Sequence, residues 1–123
     1  MDGTRRITIE RFPDTVTVTL GQHELARSQS AVVLREEGHD PVFYLPPEDI
    51  ARDAYAPSSH KTHCPYKGDA TYLSWAGPGG PVENIAWFYQ DPLDQVAEIA
   101  GRIAFYPTKC EIRPSLSDDS SQN

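Results

Sequence analysis

Cysteines are scarce in this chain, and it has no apolar run long enough to cross a membrane. The two cysteines, Cys64 and Cys110, are far apart in a sequence of 123 residues and fit no disulfide framework. The first residues, MDGTRRITIERF, hold no apolar stretch of the length that a signal peptide needs. We therefore expect a soluble cytoplasmic protein with reduced thiols and without a membrane partner.

An excess of positive charge is missing as well. The 11 Lys and Arg residues are outnumbered by 18 Asp and Glu residues, which gives a formal net charge of −7. Nucleic acids and anionic lipid headgroups are bound by cationic surfaces, so this balance argues against both as partners. The length fits one domain, which we place at residues 1–114. The polar, acidic run SLSDDSSQN at residues 115–123 can bury too little apolar surface to offset its ordering entropy, and we expect it to be disordered.

What the sequence does contain is the alternation of apolar and polar residues that is typical of strands. Val16, Val18 and Leu20 alternate with threonines, and Gly21-Gln22 offers the turn of a type II′ hairpin to a return strand at residues 23–26. Further strands are predicted at residues 7–10, 31–34, 42–45, 69–75, 84–90, 103–106 and 110–113, the last two paired around Pro107-Thr108.

Two short helices are predicted between the strands. Pro46-Pro47-Glu48-Asp49 resembles a helix start, with proline in the first turn and acids near the positive end of the dipole. This helix would run to about Tyr55, before a loop at residues 56–65. Asp91-Pro92 can begin a second helix that ends at Gly101. About eight strands and two short helices, with frequent hairpin signals, predict a mainly β protein whose antiparallel sheet folds over on itself.

The densest run of reactive side chains is SHKTHCPYKG, residues 59–68, and a metal site is one interpretation of it. His60, His63 and Cys64 are residue types that bind zinc, and Cys110 could supply a fourth ligand. Against this interpretation, the sequence has no Cys-x-x-Cys pair, and neighbouring residues such as His63 and Cys64 seldom face one ion. We therefore expect no metal at this segment.

A reactive cysteine is a second interpretation of the same segment. Cys64 lies near Lys61, His63 and Lys67 in the sequence, and positive charge favours the thiolate form that a nucleophilic cysteine needs. The alternative is that Cys64 is a small buried apolar residue ahead of a turn at Pro65, which is the commoner fate of a free cysteine. The sequence leaves both interpretations open.

Ligand capture is a third interpretation. Lys67-Gly68 at the start of a strand gives an ammonium group beside backbone that a ligand can approach closely, although the lead-in of a phosphate-binding loop is missing. Tyr44, Tyr72 and the run that contains Trp87 and Tyr89 supply aromatic rings, and alternation puts Trp87 and Tyr89 on one face of a strand. Each ring alone is better explained as part of the core. Together with a few polar groups, such rings form the walls that are usual for a small-molecule site.

Several short motifs resemble those of one known family in their order and spacing. They run from about Thr15 to Arg113 and comprise Ala26-Arg27-Ser28, Leu34 to Glu36, Tyr44 to Ile50, Thr62 to Gly68 with Ala70 and Tyr72, Ala86 to Tyr89 with Pro92, and Ile99 to Gly101 leading to Ala104-Phe105-Tyr106. On these motifs the chain is similar to the domain of unknown function 427 family, small bacterial and fungal domains that some catalogues label nucleotidyltransferase-like.

The resemblance implies a fold similar to the β-tent (Mss4-like), in which two antiparallel sheets meet along a ridge and ligands enter the mouth between them. Many tent proteins hold zinc with two Cys-x-x-Cys pairs. Because this sequence has none, we expect no zinc and no other cofactor. The sequence lacks the clustered carboxylates that would hold magnesium in a nucleotidyltransferase, so its residues do not support that label. The residues that match the family's motifs and are expected in the mouth are Arg27, Glu36, Tyr44, Cys64, Lys67, Tyr72, Trp87 and Tyr89.

Three functions follow as hypotheses. The first is a pocket for a small polar or anionic metabolite, in which Lys67 and Arg27 supply positive charge, Glu36 accepts a hydrogen bond or acts as a base, and aromatic residues form the walls. The second is an enzyme that uses Cys64 as its nucleophile or redox group, with His63 or Glu36 assisting proton transfer. The third is a protein-interaction domain without pocket chemistry.

Overall fold

The computed structural model describes residues 6–50 and 52–115, and short strands dominate this part of the chain. Apart from Ser115, the predicted disordered tail lies outside the described residues. The ten strands are β1 (Ile7–Arg11), β2 (Thr15–Leu20), β3 (His23–Ser28), β4 (Val32–Glu36), β5 (Val42–Tyr44), β6 (Tyr55–Cys64), β7 (Gly68–Trp75), β8 (Val82–Tyr89), β9 (Ile103–Phe105) and β10 (Glu111–Ser115).

The strands form three sheets, with the orders β1-β4-β5, β10-β2-β3 and β6-β7-β8-β9. Every pairing within them is antiparallel, and none of the three sheets closes into a barrel. The predicted mainly β, antiparallel architecture is therefore confirmed. The structure has ten strands in the described residues where about eight were expected, and the clearest addition is β6.

The β2–β3 hairpin forms as its sequence predicts. Leu20 pairs with His23 across the turn, and Gly21 has a φ of 62°, a backbone region that glycine enters without strain. A type II′ turn needs a positive φ at this first position. Val16 and Val18, the apolar members of the alternating run, are fully buried.

The loop predicted at residues 56–65 is wrong, because Tyr55–Cys64 forms β6 at the edge of the four-stranded sheet. A strand at an edge is hydrogen-bonded on one side only, and its exposed side chains need not alternate in hydropathy. Most side chains of β6 are indeed exposed. The strand is held by backbone pairing with β7, which continues to its last residues, where Cys64 lies opposite Gly68.

The first predicted helix is replaced by two short 3₁₀ turns, Pro47–Asp49 and Arg52–Ala54. Between them Ile50 takes an extended backbone and forms an antiparallel bridge with Ala26 of β3. The buried contact of Ile50 with the neighbouring sheet therefore overrides the local helix signal from the prolines and acids.

The second predicted helix is also 3₁₀ and begins later than expected, at Asp94–Ile99, with a kink at Val96. The backbone N–H of Leu93 donates to the carbonyl oxygen of Lys67 at 2.9 Å. This bond holds the residues before Asp94 against the turn after β6, so the helix does not start at Asp91-Pro92 as predicted. Gly101 has a φ of 72° and follows the end of the helical segment, as predicted.

The hairpin predicted between the last two strands does not form, because β9 pairs with β8 and β10 pairs with β2 in another sheet. β9 also contacts the end of β5. The N–H of Leu45 donates to the carbonyl of Ile103 at 2.8 Å, and the N–H of Ile103 donates back at 2.7 Å. This Leu45–Ile103 bridge joins the β1-β4-β5 sheet to the four-stranded sheet and fixes how the two lie together.

The buried side chains form two groups. The larger is aliphatic with two buried phenylalanines and one tryptophan, and it includes Val16, Val18, Leu25, Ile85 and Phe105. The smaller lies where β5 meets β8 and β9 and is rich in tyrosine, with Leu34, Tyr44, Ala70, Tyr72, Tyr89, Val96, Ile99 and Ala104. The tyrosine-rich group forms one side of the candidate site.

Candidate functional site

A cavity of about 430 Å³ opens between the β1-β4-β5 sheet and the β6-β7-β8-β9 sheet. The side chains that line it come from both sheets and from the turns at their ends. They are Leu34, Glu36, His39, Asp40, Val42, Tyr44, Cys64, Lys67, Tyr72, Trp87, Tyr89 and Tyr106. Every predicted site residue except Arg27 is therefore brought to one place.

Strand alternation explains why these side chains share a cavity. Trp87 and Tyr89 are two positions apart on β8 and so point to the same face, as predicted. Leu34 and Glu36 have the same relation on β4. Tyr72 on β7 lies directly opposite Trp87 in the register of the two strands. The cavity is thus built from regular strand positions, which are more rigidly placed than loop residues.

An ion pair lies in the wall of this cavity. Lys67 Nζ donates to Glu36 Oε1 at 2.8 Å, and the two side chains are only 12% and 8% exposed. Glu36 is on β4, Lys67 is in the turn between β6 and β7, and the two are 31 residues apart in sequence. The pair therefore links the two sheets across the cavity.

The turn that carries Lys67 is held in a special backbone conformation. The Lys67 N–H donates to the carbonyl oxygen of Cys64 at 3.2 Å. Gly68 follows with a φ of 120°, and a Cβ at that position would lie 3.4 Å from the carbonyl oxygen of Asp91. A Cβ at this distance would make an ordinary van der Waals contact, so glycine is favoured here for its φ.

The aromatic rings of the cavity contact one another closely. Tyr44 meets the edge of Trp87, with ring centroids 6.4 Å apart, and Trp87 lies 4.5 Å from Tyr106. Tyr106 in turn stacks on Tyr72 at 6.2 Å. Such edge and offset contacts hold the rings in place through their quadrupoles and their buried area.

Tyr106 was not predicted as a site residue. It follows β9, and the sequence interpretation assigned it to a final hairpin that does not form. The signal that could have found it is its place in the Ala104-Phe105-Tyr106 motif, one of those on which the family resemblance rests.

A chain of hydroxyl groups runs along one side of the cavity. The hydroxyl of Tyr106 donates to that of Tyr72 at 3.2 Å, and the Tyr72 hydroxyl lies 2.9 Å from Thr62 Oγ1. The Tyr72 hydroxyl accepts from Tyr106 and shares a second hydrogen bond with Thr62, in which either oxygen can be the donor. These two phenols are thus engaged with each other and with β6.

Burial raises the pKa of three of the cavity phenols, Tyr44, Tyr89 and Tyr106. Burial is the largest cause that raises the pKa of Tyr89 to about 12. The same cause raises the pKa of Tyr44 and of Tyr106 even further above the usual range. At neutral pH these side chains therefore present neutral hydroxyls, which both donate and accept hydrogen bonds.

Cys64 lines the cavity, but the neighbouring His63 does not. His63 Nδ1 lies 2.7 Å from Asp69 Oδ1 on the outer face of the sheet, where the two side chains are 69% and 85% exposed. Successive residues of a strand point to opposite faces, so His63 cannot assist Cys64. Glu36, the other predicted assistant, is in the cavity with the thiol.

Arg27 does not join the site. Its side chain on β3 is 62% exposed and pairs with Glu24 at 2.7 Å, and the hydrogen bond to Glu24 is the main cause that raises the pKa of Arg27. The flanking Ala26 and Ser28 are buried, so strand alternation directs Arg27 outward. The positive charge that was expected from it is absent from the lining of the cavity.

Trp87 also lines a second, smaller cavity. This cavity has a volume of about 270 Å³ and is lined by Asp40, Pro41, Val42, Phe43, Trp87, Phe105, Pro107 and Ile112. Asp40, Val42 and Trp87 line both cavities.

The side chains considered for zinc do not come together. Within residues 6–50 and 52–115, no three His, Cys, Asp or Glu side chains are arranged to hold a metal ion. His60 packs its ring against Tyr72 at 4.6 Å, and Cys110 Sγ donates to the carbonyl of Tyr106 at 3.4 Å. In the same part of the chain, no helix has the length and apolar character needed to span a bilayer.

Fold and site together define an antiparallel β protein with an aromatic, ion-paired cavity between two of its sheets. Its family is shown by a family model, described as a domain of unknown function (DUF427), which matches residues 8–114. The chain therefore belongs to this family, as its motifs predicted. Comparison with curated proteins gives no match. The family description names no activity, so the function has to be argued from the cavity itself.

Proposed function

We propose that this protein binds a small polar metabolite in the cavity between the two sheets. The observation that carries the proposal is the nearly buried Lys67–Glu36 ion pair in the wall of an aromatic cavity. Burying two charges costs desolvation energy that a pair of apolar side chains would avoid. Charged groups that are kept at a cavity wall despite this cost are the convergent polar groups typical of ligand sites.

The cavity offers both donors and acceptors to a polar ligand. The ammonium of Lys67 has further N–H donors beyond the one that Glu36 Oε1 accepts. The neutral hydroxyls of Tyr44 and Tyr89 can donate or accept, and the rings cover the apolar part of a ligand. A polar ligand is favoured over an anionic one, because Arg27 lies outside the cavity and Glu36 neutralises Lys67.

We also propose that the fold is of the β-tent type. Support comes from antiparallel sheets that stay open, from the Leu45–Ile103 bridge that joins two of them, and from a cavity whose lining comes from the same two sheets. In a tent, this bridge would lie at the ridge and the cavity in the mouth.

Ligand binding is tested by screening small polar metabolites by NMR against the unaltered protein and three variants. Trp87→Leu removes part of the aromatic wall, and Lys67→Met/Glu36→Met removes the charges without leaving either one alone. Arg27→Met removes a charge outside the cavity and is the matched control. We expect the control to bind like the unaltered protein, and both cavity variants to bind at least about tenfold more weakly, since each loses contacts of about 1.4 kcal/mol or more.

Two results would contradict this proposal. One is a ligand whose affinity is unchanged in the double variant, or whose chemical-shift changes lie away from the cavity. The other is a screen in which no compound binds, which would favour the interaction-domain hypothesis.

A second candidate function is thiol chemistry at Cys64, favoured by the position of Cys64 in the same cavity as Lys67 and Glu36. Cys64 would act as the nucleophile in its thiolate form, and Glu36, which lines the same cavity, would accept the thiol proton. A thiol titration near neutral pH tests this, with Cys110 as internal reference, because burial raises the pKa of Cys110 to about 11. Cys64 should react faster than a free cysteine. If it reacts no faster, thiol catalysis is excluded as its role.

A further inference from the structure

The charge of the cavity lining is the opposite of what anion capture needs. Lys67 is the only Lys or Arg side chain that lines the cavity in the described part of the chain, and Glu36 neutralises it. The exposed residue Asp40 adds a second carboxylate. Among its Lys, Arg, Asp and Glu residues the lining therefore has two carboxylates and one ammonium, which favours cations over anions.

The aromatic rings add to this preference for positive charge. The face of an aromatic ring is the negative end of its quadrupole, and Trp binds cations most strongly, followed by Tyr and Phe. The cavity combines Trp87 with Tyr44, Tyr72, Tyr89 and Tyr106. The ring faces and the carboxylates therefore both favour a positively charged ligand group.

Part of the hydrogen-bond acceptors of the cavity are already engaged, which favours a ligand cation with few or no N–H groups. A primary ammonium that leaves water needs an acceptor for each of its N–H groups. The hydroxyls of Tyr72 and Tyr106 are engaged with each other and with Thr62, and Glu36 is engaged by Lys67. A quaternary ammonium has no N–H groups, and its methyl groups spread the charge over surfaces that pack against rings.

We infer that the ligand of this cavity carries a quaternary or otherwise alkylated ammonium group, which lies against the indole of Trp87. This inference rests on the proposed function and narrows it from small polar molecules to cationic or zwitterionic ones. It follows from the sign of the lining charge and from the rings. The proposed function follows from the buried ion pair and holds for a ligand of any charge.

The test compares three probes of similar shape on the unaltered protein, so that it does not depend on the folding of a variant. Choline carries the cationic group, its neutral carbon isostere replaces the nitrogen with carbon, and pivalate carries a negative charge. We expect choline to bind about tenfold more tightly than the carbon isostere, measured by NMR titration and by quenching of tryptophan fluorescence. Pivalate should bind more weakly than both.

Variants then connect this preference with the rings. Trp87→Leu should bring choline and the carbon isostere to within about threefold of each other, while Arg27→Met, outside the cavity, should leave the preference unchanged. Trp87→Phe keeps a ring and, if Trp87→Leu does not fold, replaces it, with an intermediate preference expected.

The outcomes separate the inference from the proposed function. The inference is overturned if the carbon isostere binds as tightly as choline, if pivalate binds more tightly, or if choline does not bind. In each of these cases the proposed function still stands if any small polar metabolite binds in the cavity. If neither choline nor any other compound binds there, both are refuted.

Discussion

The ion pair between Lys67 and Glu36 makes the most direct prediction about stability. Lys67→Met leaves the Glu36 carboxylate, whose side chain is 8% exposed, without the ammonium that lies 2.8 Å from it. Removing one partner of a buried ion pair costs about 3–5 kcal/mol in the free energy of unfolding, because the remaining charge loses its countercharge. Since this pair faces a cavity that can admit water, we expect a loss of about 3 kcal/mol, at the lower end of the range.

Urea unfolding followed by circular dichroism measures this loss directly. For a domain of this size, about 3 kcal/mol corresponds to a Tm lowered by about 12 °C. Lys67→Met/Glu36→Met, which replaces both charges with apolar side chains of similar length, should lie within about 1 kcal/mol of the unaltered protein. Lys61→Met, at an exposed position of β6, is the matched control and should change stability by less than about 0.5 kcal/mol.

Two results would refute the reasoning about the pair. If Lys67→Met is as stable as Lys61→Met, the pair is screened by solvent and contributes nothing measurable. If the double variant is as unstable as Lys67→Met alone, the loss comes from the packing of the lysine stem and not from the lone carboxylate.

Alkaline pH and one glycine provide two further predictions. Burial raises the pKa of Tyr89 from 10.0 to about 12, and that of Tyr44 further, so the unfolded chain releases these protons first. Stability should be complete below about pH 10 and should fall as the pH rises toward about 12; urea midpoints that stay constant over this range would contradict it. Gly68→Ala places a side chain at a φ of 120° and 3.4 Å from the Asp91 carbonyl oxygen. It should cost about 1–3 kcal/mol in the same unfolding assay, and an unchanged midpoint would show that the turn adapts without strain.

Strand positions that bury one face could be predicted from residues alone. Val16 and Val18 alternate with threonines and are buried, and Gly21 marks the turn that follows them. The same rule predicts from the sequence alone that Trp87 and Tyr89 lie on one face of their strand. β6 could not be found in this way, because an edge strand is held by its backbone and leaves no alternation of hydropathy to detect.

The two predicted helices do not form as expected for a related reason. Prolines and acids are local signals for a helix start. The extended bridge of Ile50 to Ala26 and the burial of its side chain stabilise the fold more than a further helical turn would. Local propensity amounts to fractions of a kcal/mol for each residue, and burial of one large apolar side chain exceeds it.

The composition of the site could be predicted better than its charge. The motifs placed Lys67 and Glu36 in one site but gave no sign that they form an ion pair, because their contact depends on how two sheets are joined. Arg27 was expected in the site because it lies in a motif. Its small neighbours Ala26 and Ser28 are buried, and strand alternation then directs the Arg27 side chain outward. Tyr106 was missed because the pairing of β9 was predicted incorrectly.

The indole of Trp87 lines two cavities, so its size bears on the shape of the proposed ligand. The larger of the two has a volume of about 430 Å³ and the smaller a volume of about 270 Å³. A smaller residue at this position would leave more room beside both, and a guest in the larger cavity could extend toward Phe105 and Ile112, which line the smaller one. Replacing Trp87 with a smaller residue is therefore expected to lengthen the ligands that the proposed site accepts.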